Sequence, residues 1–99
     1  MKQNTFPNDY QEYINEFKDE IKVKEIKSEK DAIQASQEAY NSKFSNPIKG
    51  YVGYKVLYDT KNDCWMVKYV SSFEPITLGK ECLIIIKSTG EVLLIQLGK

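Results

Sequence analysis

Residues 82–97, Cys82-Leu83-Ile84-Ile85-Ile86-Lys87-Ser88-Thr89-Gly90-Glu91-Val92-Leu93-Leu94-Ile95-Gln96-Leu97, constrain this chain more than any other stretch. Two apolar runs, rich in β-branched residues, flank a short polar insert that contains a glycine, the pattern of a β-hairpin. Neither run alternates with polar residues, so both faces of the two strands must be covered for the chain to stay in solution. The preceding residues have to supply that cover. With 99 residues in all, there is room for a single core and no second domain.

Read from the start, Asn8 and Gln11 are placed as a helix cap and its reciprocal partner, and Tyr10, Tyr13, Ile14, Phe17 and Ile21 recur at helical spacing. This predicts an amphipathic helix over 8–24, with Glu12, Glu16, Asp19 and Glu20 on its wet face and Lys22, Lys24 and Lys27 at its far end. Ser28 and Asp31 cap a second helix whose narrow face carries Ala32, Ile33, Ser36, Ala39, Tyr40 and Phe44. Ser45-Asn46-Pro47 ends it, because the residue before proline avoids helical geometry. From Gly50 the period changes to two. Tyr51–Tyr58 and Cys64–Val70 read as an antiparallel pair joined by the polar turn 59–63, with Trp65, Val67 and Tyr69 sharing one face. Residues 71–80, with Pro75 and Gly79, read as the longest loop. The expected fold is α+β: two N-terminal helices packed on a curled antiparallel four-stranded meander sheet, with the final hairpin near its centre.

Composition excludes more chemistry than it suggests. Fourteen Lys balance fourteen Asp and Glu, so no long-range field draws the chain to nucleic acid or to an anionic membrane. Histidine is absent, which removes His-dependent nucleophile activation and general base chemistry. Cys64 and Cys82 sit among apolar neighbours without a CxxC pattern and read as buried free thiols, not as a zinc site. Asp59 and Asp63 flank one turn but lack the ligand pattern of an EF-hand, and read as a solvated turn. Trp65 reads as core. No cofactor and no catalytic activity is expected. The first residues lack an apolar core of signal-peptide length, and no run is long enough to span a membrane, so a cytoplasmic location is expected.

Residues 28–99 resemble a bacterial family of small immunity proteins with a nuclear-transport-factor-like fold, which protect cells from polymorphic toxins. The resemblance is carried by Ser28-Glu29-Lys30-Asp31-Ala32 with Ala35, Ala39 and Tyr40, by Asp63-Cys64-Trp65-Met66-Val67, and by Leu83 to Leu93 with the closing Gly98-Lys99. It implies an immunity-like core over 28–99, a nuclear-transport-factor-like or cystatin-like cone, preceded by an extension, 1–27, with its own helix. It also implies a protein partner, a cognate toxin, and transfers no catalytic position. A monomer or weak homodimer is expected, with neither nucleic acid nor membrane as partner. The competing expectations are a small-ligand binder or enzyme using the concave face of the sheet, and a regulatory module resembling the PepSY kind without catalytic activity.

For the partner surface, the 71–80 segment alone combines an aromatic, aliphatic groups and a charge outside any strand pattern. Phe73, Glu74 and Ile76 are therefore the first candidates. Glu12, Glu16 and Asp19 on the first helix are the second.

Overall fold

The computed structural model describes residues 20–48, 51, 53–70 and 81–98. Within them lie β1 (Ile21–Lys22), α1 (Glu29–Phe44), β2 (Gly53–Asp59), β3 (Cys64–Val70), β4 (Glu81–Lys87) and β5 (Glu91–Gly98). The strands form one five-stranded sheet in the order β1-β5-β4-β3-β2, antiparallel throughout. The class is α+β, as expected, but the sheet has five strands where four were expected.

The extra strand falls where the first helix was expected to end. Residues 8–19 of that helix, and with them Glu12, Glu16 and Asp19, lie outside the described residues. Residues 20–24 are not helical. Glu20 has φ 44, a left-handed conformation through which an α-helix does not run. Ile21 and Lys22 pair with Val92 and Glu91, and beyond them Val23 and Ile26 donate backbone hydrogen bonds to Gly90 O and Ser88 O, each at 2.8 Å. The alternation Ile21-Lys22-Val23-Lys24 suits a strand, and here it outweighs the helical spacing that Ile21 shares with Phe17. Gly90 makes this approach possible. Its φ is 99, and a Cβ on it would stand 2.2 Å from Val23 O.

Helix α1 forms as its caps prescribe. Ser28 Oγ accepts from Asp31 N, while the Asp31 carboxylate reaches back one residue further than a capping box requires, to Lys27 N at 3.0 Å. At the other end Ser45 adopts a left-handed conformation, φ 57, and its N–H bonds Asn41 O. The buried residues of α1 are Ala32, Ala35, Ser36 and Ala39. Small side chains let the helix lie close across β3 and β4, where it packs chiefly.

Strands β3 and β4 are the centre of the sheet. β4 is its middle strand, and Ile84, Ile85 and Ile86 have no exposed surface. Each such side chain contributes about 1.5–3 kcal/mol by burial. Two buried clusters result, one per face. Trp65, Val67, Tyr69, Cys82, Ile84, Ile86, Val92 and Ile95 join Ile26 and the alanines of α1. Cys64, Met66, Leu83, Ile85, Leu93 and Leu94 form the second. The run Val92-Leu93-Leu94-Ile95 is shared between faces by a bulge. Ile85 pairs with Leu94 and Ile86 with Val92, which leaves Leu93 as the extra residue and turns both Leu93 and Leu94 to the second cluster.

Candidate functional site

The sequence-based partner candidates Phe73, Glu74 and Ile76 lie outside the described residues, as do Glu12, Glu16 and Asp19. The described residues bring together three other polar groupings.

The first joins the two hairpin turns. Trp65 Nε1–H, which needs a partner once the ring is buried, donates to Ser88 Oγ at 3.0 Å. Ser88 Oγ donates to Asp63 Oδ1 at 2.7 Å, the Tyr58 hydroxyl donates to the same oxygen, and Ser88 N–H bonds Asp63 O at 3.0 Å. Tyr58 packs on Trp65 with ring centroids 4.7 Å apart. Asp63 takes the left-handed conformation, φ 54, that ends the turn. The Tyr58 and Ser88 hydrogen bonds hold its carboxyl below the usual value, against a weaker opposing effect of burial. The same bond raises Tyr58 above its ordinary value. One carboxylate oxygen thus gathers Tyr58 of β2 and Ser88 of the β4–β5 turn. It acts as a latch between turns.

The second grouping corrects an expectation. Asp59, read as solvated, is fully buried, and its carboxylate accepts from Lys61 N at 3.1 Å and Asn62 Nδ2 at 2.6 Å. It folds into its own turn to replace water with backbone and amide donors. No cluster of three or more metal-ligating side chains occurs among the described residues.

The third lies beneath α1. Ser36 Oγ donates to Ile33 O at 2.7 Å and so accepts from the Tyr69 hydroxyl, also at 2.7 Å. Burial raises Tyr69 above its ordinary value. The Gln37 side chain also hydrogen-bonds the Tyr69 hydroxyl, so this buried pair reaches the rim of the helix. Among the described residues the face of the sheet under α1 is filled, and no buried polar side-chain atom there is without a partner.

Both cysteines are buried free thiols. They lie on opposite faces, in different clusters. In the β3–β4 register, Cys64 stands opposite Lys87 and Cys82 opposite Tyr69. Burial pushes Cys64 up to about 12 and Cys82 up to about 11.

Outside, the picture differs. Gln34, Gln37, Glu38 and Asn41, spaced i, i+3, i+4 and i+7 along α1, line a solvent-open groove of about 520 Å³ with Pro47 and Ile48 beyond the helix end. Three amides stand beside one carboxylate and an apolar wall, the Gln34 Oε1 already accepting from Lys24 Nζ at 2.8 Å. The apolar stripe of α1, from which the sequence predicts the helix, carries no sign of this groove. The polar stripe has the same periodicity and was equally visible. No helix among the described residues is long and apolar enough to cross a membrane. Comparison with protein-family models, with curated proteins and with solved structures finds no match to this chain.

Proposed function

We propose that this chain is a small bacterial immunity-type protein that binds a cognate toxin and neutralises it by covering its active or entry surface, without catalysis of its own. The observation that carries this reading is the two-sidedness of α1. Its inner face closes the sheet with alanines and one satisfied Ser36–Tyr69 pair, while its outer face offers an open polar groove. A small-molecule site needs a concavity with convergent polar groups, and the filled surface under α1 supports binding on the outside instead. We infer for the sheet and helix a nuclear-transport-factor-like or cystatin-like cone, which an α-helix lying across an antiparallel sheet supports.

The partner surface we propose is the α1 groove, with Phe73, Glu74 and Ile76 kept as separate candidates from sequence. Glu38 calls for a basic group on the toxin, Gln34, Gln37 and Asn41 for polar backbone or amides, and Pro47 and Ile48 for an apolar contact. The reading predicts a toxin gene beside this one, and co-expression with the domain it encodes is the test. Restored growth together with a purified 1:1 complex is the expected result. A toxin that remains lethal and forms no complex at micromolar concentrations contradicts it.

A further inference from the structure

The two edges of the sheet are unlike. At one, β1 is only two residues long, Ile21–Lys22, a short edge of the sort that discourages further pairing. At the other, β2 runs seven residues, Gly53–Asp59, in unbroken register with β3 and without bulge or proline. Among the described residues its outer side pairs with no strand. Tyr54 on it is 49 % exposed, one of two large hydrophobic side chains left open among the described residues. Lys55 is the only charge between Gly53 and Tyr58.

We propose that β2 pairs, antiparallel, with β2 of a second copy of this chain, about a two-fold axis at Val56. The strand is self-complementary in that register. Val56 meets Val56, Tyr54 meets Tyr58 of the other copy on the α1 side, and Lys55 meets Leu57 on the opposite side. Gly53 comes opposite Asp59, whose carboxylate is turned into its own loop, so no side chain of Gly53 crowds it. The register centred on Lys55 would set two like charges face to face, which disfavours it. The Tyr54–Tyr58 contacts extend rows already built within each copy, where Tyr54 meets Tyr69 edge-on at 6.1 Å and Tyr58 lies on Trp65. A formal net charge of zero lets two copies meet without long-range repulsion. One strand pair buries little area, so the dimer is weak.

Sedimentation velocity and amide hydrogen exchange, both followed against concentration on the intact chain, test this. The expected result is a mass that doubles at high concentration while exchange slows in 53–59 and not in the internal strand 64–70. Tyr54→Lys removes both symmetry-related aromatic contacts and should weaken the dimer roughly tenfold. Its melting temperature should stay near that of the parent. A chain that stays monomeric, a dimer whose 53–59 exchange does not change, or a dimer that Tyr54→Lys leaves at full strength overturns the proposal. The outcome is independent of toxin binding, which uses α1.

Discussion

The inner and outer faces of α1 do opposite things with the same period. Ala32, Ala35, Ser36 and Ala39 face the sheet and are fully buried, while Gln34, Gln37, Glu38 and Asn41 face water along an open groove. On the inner face the short side chains set how closely helix and sheet approach, so volume matters and chemistry little. On the outer face Gln34 accepts from Lys24 and Gln37 meets Tyr69, while Glu38 and Asn41 stay exposed along the groove. The difference teaches where to look for a binding surface. A surface that folding does not use is open to selection for binding.

This contrast can be broken first at the inner side. Trp65→Ala should cost about 3–5 kcal/mol in denaturant melts, because it empties a buried aromatic site and leaves Ser88 without its indole donor. A loss under about 1 kcal/mol would mean that the filled inner face is not what holds the fold. Gly90→Ala should come next, at about 3 kcal/mol, since it forces a side chain into a left-handed backbone and against Val23 O. Ala35→Leu should cost about 1–3 kcal/mol by prising α1 off the sheet. Ser88→Ala, which breaks the latch but keeps the core, should cost about 1 kcal/mol.

The latch also carries a pH dependence of known sign. Asp63 titrates lower in the folded protein than its ordinary value of 3.8, so the folded state binds fewer protons than the unfolded chain near that pH. Its contribution is complete above 3.8 and is lost as pH falls through the lowered folded value. Asp31 behaves alike, held down first by the Lys27 N–H and then by Lys24, whose ammonium lies 3.3 Å away. Comparing acid melts of the parent with Asp63→Asn should show a shallower loss in the variant. Both thiols, kept protonated by burial, should stay unreactive to a thiol reagent at pH 8 until the chain unfolds.

Much of the frame was legible in the sequence. The helix from Ser28, the strand Cys64–Val70, the central place of the final hairpin and the buried state of Trp65 all followed from caps, period and apolar run length. What escaped involves partners distant in the chain. β1 hides inside a segment whose apolar residues satisfy a helical period as well, and only the carbonyls of Ser88 and Gly90, more than sixty residues later, decide for the strand. The Leu93 bulge resolves an unbroken apolar run that has no preferred face by itself. Asp59 looked solvated because aspartate in a turn usually is. Its burial depends on Lys61 and Asn62 offering donors at the right moment of the turn. Of the candidate site, the stripe 34, 37, 38 and 41 was readable by period, whereas the wall of Pro47 and Ile48 required the helix end to turn back.

The most direct test of the account combines stability and affinity in one variant on the outer face. Glu38→Lys with Asn41→Lys reverses the charge of the groove and touches none of the buried residues of α1. Melting should change by less than about 0.5 kcal/mol, as for surface substitutions away from packing or caps. Affinity for the toxin that the proposed function calls for, measured by calorimetry on the same preparation, should fall at least tenfold, about 1.4 kcal/mol. A toxin that binds the double variant as tightly as the parent would contradict the claim that the outer face of α1 is the binding surface.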